Sequence, residues 1–262
     1  MTKPTVLLVV IDGLRPEVLH QADCPALKSL QQRGAWTLRA RAEMPSSTLP
    51  CHMSMFHSVP VTRHGISTNT WTPMVRPLPG IVEQARAAGL RSAFFYGWEP
   101  LRNLCVPGIL SYAFFREKRD LDNDDRIAEA AIQGLRSEQP DFAFIHFDTV
   151  DGAGHQSGWL SEAYLAQVTR VDAALGRVID TLPAHTTVIV QSDHGGHDRT
   201  HGTDSAADMI IPWLIAGPTI RADHAIQAPV NLLSTAPTIA HILGIPLAAE
   251  WEGEPVHELF LT

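Results

Sequence analysis

Residues 5–13 read TVLLVVIDG, a run of apolar residues that ends at Asp12 and Gly13. A short apolar run closed by turn residues is typical of a fully buried strand. A second such run, DFAFIHF, occupies residues 141–147 and is also followed by polar residues and glycines. Segments with helical periodicity separate the strand-like runs, so the strands need crossover connections. The sequence therefore predicts an α/β fold with a mainly parallel central sheet and helices on both faces.

The rest of the chain alternates in the same way. Further strands are predicted at residues 91–96, 111–116, 186–190 and 210–215. Helices are predicted at residues 25–33, 48–57, 78–88, 124–137, 162–182 and 231–243. No repeat, low-complexity tract or linker interrupts the pattern, so we expect one domain spanning residues 1–262.

Composition excludes several classes of protein. The chain has 262 residues, of which 45% are hydrophobic and 18% charged, a globular profile. Its formal charge of -8 argues against a nucleic-acid-binding surface, which needs a basic face. The apolar run near the start, Val6 to Ile11, is far shorter than the roughly 20 residues of a membrane span. No signal-peptide features accompany it, so we expect no membrane association and a cytoplasmic protein.

Polar residues collect where predicted strands end, and parallel strands end at one edge of a sheet. Each of these residues alone is explained at least as well as a turn or loop residue. Together they bring three carboxylates and three imidazoles to one edge: Asp12, Asp151, Asp193, His155, His194 and His201. Mixed Asp and His ligands suit zinc, and also manganese or iron, so the sequence predicts a metal site. The three cysteines, Cys24, Cys51 and Cys105, form no CxxC pair and predict no thiolate site.

Residues 45–52, PSSTLPCH, place a hydroxyl at the start of the predicted 48–57 helix. Thr48 is expected in the N-cap position, where capping alone would explain it. Free N–H groups at a helix start also favour anions. Beside a metal cluster, Thr48 becomes a candidate nucleophile, because coordination can turn a hydroxyl into an alkoxide.

The ordered set of motifs resembles the alkaline phosphatase superfamily and, within it, the type I phosphodiesterase/nucleotide pyrophosphatase family. The motifs are Asp12, TLPCH at 48–52, HGISTN at 64–69, DGAGH at 151–155, DHG at 193–195 and THG at 200–202. STAPTIAHILG at 234–244 resembles the closing helix of the family, so the likeness covers almost the whole chain. The resemblance implies an alkaline phosphatase-like metal-dependent hydrolase.

The same resemblance implies two divalent metal ions, most readily Zn²⁺. One metal would be bound by Asp151, His155 and His201. The other would be bound by Asp12, Asp193, His194 and the hydroxyl of Thr48. Thr48 would attack phosphorus and form a phospho-enzyme that water hydrolyses. Asn69 and the backbone N–H after the nucleophile would hold a phosphoryl oxygen.

Four considerations bear on the alternative assignments. His197 competes with His201 as the later ligand, and we prefer His201 because Thr-His-Gly is the family pattern. Cys51 is expected to be a packed thiol. A sulfatase is disfavoured, because that branch has Cys or Ser followed by x-Pro-x-Arg, whereas here Thr48 is followed by His52 at the arginine position. Cofactor-independent phosphoglycerate mutase needs an additional large domain.

The expected substrate is a small phosphate ester. The charges of two divalent cations, three carboxylates and a Thr48 alkoxide cancel, which matches a singly charged diester better than a dianionic monoester. We therefore expect a hydrolase of phosphodiester or nucleotide pyrophosphate bonds. The alternatives are a phosphomonoesterase or phosphonate hydrolase with the same site and, more remotely, a non-catalytic metal-stabilised binding protein. The sequence does not indicate an oligomeric state.

Overall fold

The computed structural model describes residues 3–117 and 120–261, and strands and helices alternate through them as the sequence predicts. The strands are β1 (Thr5–Ile11), β2 (Ala35–Arg41), β3 (Ser92–Tyr96), β4 (Tyr112–Phe115), β5 (Phe142–Phe147), β6 (Thr186–Gln191), β7 (Ile210–Ala216) and β8 (His224–Ala225). The helices are α1 (Val18–Gln21), α2 (Pro25–Arg33), α3 (Thr48–His57), α4 (Val61–His64), α5 (Ile81–Ala87), α6 (Asn123–Glu138), α7 (Thr149–Ser157), α8 (Glu162–Ile179), α9 (Ala206–Met209) and α10 (Thr235–Leu243). Short 3₁₀ segments occupy Glu99–Leu104, Leu232–Ser234 and His257–Leu259.

All eight strands join in one sheet of order β4-β3-β5-β1-β6-β7-β2-β8. β1 lies near its centre and runs parallel to both β5 and β6, with Ile11 opposite Phe147 and Val10 opposite Gln191. The three strands therefore end at the same edge, where polar residues follow each of them. β7 pairs antiparallel with β6 and β2, while the other pairings are parallel, so the predicted mainly parallel sheet is confirmed.

Each face of the sheet carries its own hydrophobic core, because successive side chains of a strand point to opposite faces. Val6, Leu8 and Val10 of β1 belong to the core beneath α3, α5 and α10. Leu7, Val9 and Ile11 belong to the core beneath α2, α6 and α8. With helices on both faces, β1 is almost completely buried, as its unbroken apolar sequence predicts.

Several boundaries differ from the predictions. The predicted helix at 78–88 begins only at Ile81, after Pro79 and Gly80, and the one at 231–243 is a 3₁₀ turn followed by α10. Thr48 is the first residue of α3 rather than its N-cap, because Ser47 has the extended backbone of the cap. Strands β2 and β8 were not predicted. Among the described residues, every helix is too short or too polar to span a membrane.

Candidate metal centre

The turn after β1 brings Asp12 against α7. Gly13 has a φ of 67°, and a Cβ at this position would lie 3.1 Å from atoms of Asp151. Glycine is favoured here for two reasons, since its backbone is left-handed and a side chain would make a tight contact with Asp151. The N–H of Gly13 also donates to Oδ1 of Asp193 at 3.2 Å, which links the ends of β1 and β6.

Asp151 and His155 lie on α7, a helix rather than the loop that the glycine-rich sequence DGAGH indicates. The i, i+4 spacing puts both side chains on one face, with Nε2 of His155 3.4 Å from Oδ2 of Asp151. The start of α7 is held by buried Asp124 of α6, whose carboxylate accepts hydrogen bonds from the N–H groups of Asp148 and Thr149 and from the Thr149 hydroxyl. Burial raises the pKa of Asp124 to about 6.

Two groups of potential ligands meet at this edge and share His194. Asp12, Asp193 and His194 offer one ligand atom each within 4.8 Å of one another, and so do Asp151, His194 and His201. Nε2 of His194 lies 3.3 Å from Oδ1 of Asp12 and 3.5 Å from Oδ2 of Asp193. The rings of His194 and His201 stack with centroids 3.9 Å apart. The structure thus gathers residues from distant parts of the sequence.

Three imidazoles have the same hydrogen-bond pattern. Nδ1 of His194 contacts the carbonyl oxygen of Gly195 at 2.8 Å, that of His201 contacts Ser46 at 2.8 Å, and that of His155 contacts Arg199 at 3.0 Å. A carbonyl oxygen only accepts, so each Nδ1 carries the proton and each Nε2 presents a lone pair. All three lone pairs face carboxylates, an arrangement that is repulsive without a cation between them and is typical of metal-bound histidines.

The carboxylates of the same cluster have unpaired oxygens. Oδ1 of Asp12, Oδ1 of Asp151 and Oδ2 of Asp193 are buried and have no hydrogen-bond partner among the described residues. Burial raises the pKa of Asp12 well above its ordinary value, and the charges of Asp193 and Asp151 raise it further. Unpaired buried carboxylate oxygens are costly unless they coordinate a metal. The donor set of oxygens and imidazole nitrogens therefore fits divalent cations such as Zn²⁺.

Thr48 borders the same cluster. It begins α3 and is only 5% exposed, and its Oγ1 lies 3.4 Å from Nε2 of His194. The next residue, Leu49, donates its backbone N–H to Oδ1 of Asn69 at 3.0 Å. Asn69 lies on the exposed loop after α4, so this bond ties the loop to the start of α3.

Three more residues considered in the sequence analysis, His155, His197 and Cys51, differ in their surroundings. His155 is the most open of the group, with 44% of its side chain exposed. His197 is turned to Oδ1 of the buried Asp208, 2.7 Å from its Nδ1, while the same carboxylate accepts from the N–H and hydroxyl of Thr203. His197 thus anchors the loop that carries His201. Cys51 is fully buried, and burial raises the pKa of its thiol well above the ordinary value.

Two residues at the centre were not assigned a role from the sequence. His146 of β5 is fully buried, with Nε2 3.1 Å from Oδ2 of Asp12. Trp159 donates its indole N–H to the Gly13 carbonyl at 2.8 Å, and its ring lies 5.1 Å from His155 and 6.0 Å from His201 between centroids. The signal for His146 was a single polar residue within the apolar strand FAFIHF.

A cavity of about 620 Å³ adjoins the centre beside α7. Its lining includes Asp151 and His155 together with the apolar side chains of Trp98 and Leu121. Two other aromatic residues that precede Trp98 in the chain differ in exposure: Tyr96 is buried in the core, and Trp71 is 39% exposed.

The fold and this centre define an alkaline phosphatase-like α/β protein. The family described as type I phosphodiesterase / nucleotide pyrophosphatase matches residues 6–211. The chain therefore belongs to the type I phosphodiesterase/nucleotide pyrophosphatase family.

Individual relatives are more distant. The catalytic subunit of GPI ethanolamine phosphate transferase 3 from Homo sapiens is 29% identical over 188 residues, which are 69% of this chain and 17% of that protein. Ectonucleotide pyrophosphatase/phosphodiesterase family member 1 from Homo sapiens is 26% identical over 219 residues, which are 73% of this chain and 23% of that protein. The chain thus spans less than a third of these curated relatives.

A solved structure shares the fold over its full length. Inactive murine ectonucleotide pyrophosphatase/phosphodiesterase 5 in complex with AMP superimposes with a TM-score of 0.82 at 15% identity. The match covers 99% of this chain and 100% of the solved one. The predicted alkaline phosphatase-like fold is therefore confirmed.

Proposed function

We propose that this protein is a two-metal hydrolase of phosphodiester or nucleotide pyrophosphate bonds. One observation carries the proposal: His155, His194 and His201 turn Nε2 lone pairs toward carboxylates that each have one buried oxygen without a hydrogen-bond partner among the described residues. Membership of the phosphodiesterase family supports the same class of reaction.

Asp151, His155 and His201 would hold one cation, and Asp12, Asp193 and His194 the other, with Thr48 beside the second group. His194 lies within reach of both groups, so it joins the two halves of the site. When bound, the two cations would supply Lewis-acid stabilisation of the entering and leaving oxygens of an in-line displacement. Zinc is the expected metal, and manganese or iron suits the same ligands.

Thr48 would be the nucleophile. Its Oγ1 forms a bond to phosphorus as the bond from phosphorus to the leaving oxygen breaks, and the leaving group departs and takes up a proton. Water then attacks the phosphothreonine, releases the phosphorylated product and restores the hydroxyl. The position of Oγ1 next to Nε2 of His194 and at the start of α3 supports this role. The N–H groups at a helix start favour the phosphoryl anion.

Asn69 would bind a non-bridging phosphoryl oxygen. Its Oδ1 accepts from the Leu49 N–H, which leaves both hydrogens of its Nδ2 amide free to donate. A donor directed at a developing negative charge stabilises a transition state more than a ground state. The resemblance implied the Leu49 N–H as a second donor, but in the structure this N–H is engaged by Asn69, so the amide is the donor of the pair. Asn69 therefore completes the anion site opened by α3.

A diester or pyrophosphate fits the charge of this site better than a monoester. Two cations are balanced by three carboxylates and the Thr48 oxygen, so a second negative charge on the substrate would need an added cation. Arg63 does not supply it, because its guanidinium pairs with Glu252, and Arg199 is exposed. The adjoining cavity of about 620 Å³ has room for a leaving group of nucleotide size. The structural relative in complex with AMP supports a nucleotide-like substrate.

The direct test compares turnover of bis(p-nitrophenyl) phosphate with that of p-nitrophenyl phosphate and a p-nitrophenyl phosphonate, using Zn²⁺-loaded protein. We expect two bound ions per chain, preference for the diester and a phosphothreonine at Thr48 after acid quenching. Preference for the monoester or the phosphonate would assign the alternative substrate class to the same site. Two bound ions without turnover of any ester would indicate a metal-stabilised binding protein instead.

Two further expectations stay predictions. These are the single domain over residues 1–262 and the cytoplasmic location. The small-molecule phosphate ester is the proposed partner, and the acidic charge of -8 speaks against a nucleic-acid partner.

A further inference from the structure

His146 is a buried imidazole in contact with the metal centre. It lies on β5, the strand next to β1, and its side chain has no exposed surface. The rings of Phe144 and His52 surround it, with centroids 6.4 Å and 5.1 Å from its own. Burying a polar ring in this way lowers the stability of the fold unless its polar atoms are hydrogen-bonded.

One hydrogen bond connects His146 to a candidate ligand. Its Nε2 lies 3.1 Å from Oδ2 of Asp12, while Oδ1 of Asp12 faces Nε2 of His194 at 3.3 Å. The two oxygens of Asp12 therefore have different partners. Asp193 shows the same division, because its Oδ1 accepts from the N–H groups of Gly13 and His194 and its Oδ2 remains unpaired.

His146 differs from the three histidines of the metal centre. Their Nδ1 atoms contact backbone carbonyls, which puts the proton on Nδ1 and the lone pair on Nε2. Nδ1 of His146 has no partner among the described residues. A proton there would be a buried unsatisfied donor, whereas a proton on Nε2 is accepted by the Asp12 carboxylate. His146 therefore donates to Asp12 instead of presenting a lone pair to it.

We propose that His146 is a positioning residue that fixes the Asp12 carboxylate, holding Oδ2 so that Oδ1 stays directed at the cation site shared with Asp193 and His194. The proposal rests on the proposed function, since it assumes that this site binds a metal. Hydrogen bonds to metal-bound carboxylates orient the ligand, and their loss typically lowers metal affinity about 10–100-fold.

A different role for the same residue is a ligand of an additional cation. Asp12, His146 and Asp148 also offer ligand atoms within 4.8 Å of one another. The proton on Nε2 argues against this role, because Nε2 is the nitrogen that contacts Asp12 and, when protonated, it has no lone pair to give. The number of ions bound separates the two roles: a positioning residue leaves two per chain, and an additional ligand makes three.

The test uses two amide variants that differ in reach. The amide nitrogen of glutamine in His146→Gln takes the place of Nε2, and that of asparagine in His146→Asn takes the place of Nδ1, so only the first keeps the donor to Asp12. Zn²⁺ affinity is measured by chelator competition on protein stripped and reloaded, and Co²⁺-loaded protein gives a spectrum of the ligand field. His57→Asn is the matched control, since His57 is also buried, its Nδ1 contacts the Leu78 carbonyl, and it too has one ring nitrogen, Nε2, without a partner among the described residues.

We expect wild-type protein, His146→Gln and His57→Asn to bind two ions with similar affinity. His146→Asn should bind one of its two ions about 10–100-fold more weakly and change the Co²⁺ spectrum. Equal affinities for both His146 variants, or three ions per wild-type chain, would overturn the positioning role. Failure of wild-type protein to bind two ions would instead refute the proposed function. If His146→Asn does not fold, wild-type affinity and spectrum in His146→Gln support the role, and weakened binding in that variant contradicts it.

Discussion

The backbone N–H of Leu49 donates a hydrogen bond to Oδ1 of Asn69 at 3.0 Å, which joins the start of α3 to a loop residue twenty positions later. The bond orients the Asn69 amide and leaves its nitrogen open for the phosphoryl oxygen that the proposed function assigns to it. Asn69 would then have two separable tasks: its oxygen holds Leu49, and its nitrogen would bind the substrate.

Substitutions at Asn69 should separate these tasks. Asn69→Asp keeps an oxygen for the Leu49 N–H but replaces the donor by a repelling carboxylate, whereas Asn69→Ala removes both. We expect kcat to fall about 10²–10³-fold in each variant, as for other lost oxyanion donors. Only Asn69→Ala should lower the melting temperature as well. Thr68→Ala, on the same exposed loop, is the control, and wild-type turnover in Asn69→Asp would contradict the donor role.

Replacement of Thr48 should separate chemistry from metal binding. Thr48→Ala removes the nucleophilic oxygen, so turnover should fall by at least about 10³-fold, while three carboxylates and three imidazoles still hold both ions. Thr48→Ser keeps a hydroxyl and should retain measurable activity. Kinetics together with metal content by elemental analysis check this. Loss of both ions in Thr48→Ala would show that the hydroxyl serves the metals instead of attacking phosphorus.

His197 and His201 should respond differently to alanine substitution. His201→Ala removes an Nε2 ligand and should reduce the bound metal from two ions per chain to one. His197→Ala should leave both ions bound but destabilise the fold by about 1–3 kcal/mol, because the buried Asp208 carboxylate loses a donor. Metal content and urea unfolding of the two variants provide the comparison. One ion in His197→Ala would reverse the assignment.

Asp124 should make stability depend on pH. Its pKa of about 6 in the fold exceeds the ordinary value of 3.8, so its contribution to stability is complete below the ordinary value and is lost as pH rises through about 6. Asp124→Asn cannot titrate. The advantage of the wild type over this variant in free energy of unfolding should therefore shrink by about 2 kcal/mol between roughly pH 4.5 and pH 7.

The neighbouring Asp125 provides the control for this titration. Burial acts to raise the pKa of Asp125, but its bonds to Arg177 and Arg170 outweigh burial. The pKa therefore lies below its ordinary value. Its contribution is therefore present above the ordinary value and is lost only at lower pH. The difference between wild type and Asp125→Asn should stay flat over the same range. An equally flat difference for Asp124→Asn would refute the raised pKa.

Much of this architecture is predictable from local sequence. The predicted helices at 25–33 and 48–57 coincide with α2 and α3, and the ends of β1, β5 and β6 meet as parallel strands must. β2 was missed because its sequence, AWTLRAR, carries two arginines and is only half buried. Its strand geometry comes from pairing with β7, a contact between distant residues that local pattern does not reveal.

The helix α7 shows a second limit of local pattern. Gly152 and Gly154 disfavour a helix, so the segment resembles a loop in sequence. The helix is stabilised by Asp124, which caps its first N–H groups from α6, and by Trp159, which packs against Gly154. Asp124 comes from a different helix, whereas Trp159 follows closely after α7 in the chain. The structure places the candidate ligands Asp151 and His155 side by side, but their motif did not indicate the element that carries them.

Trp159 restricts the substitutions that two neighbouring glycines can accept. A Cβ on Gly154 would lie 2.6 Å from its ring, and one on Gly196 would lie 2.2 Å from it. Neither glycine can acquire a side chain while the indole is in place, and loss of the indole first would leave a void beside His155 and His201. The three positions therefore form an epistatic unit, in which the order of substitutions decides whether an evolutionary path stays open.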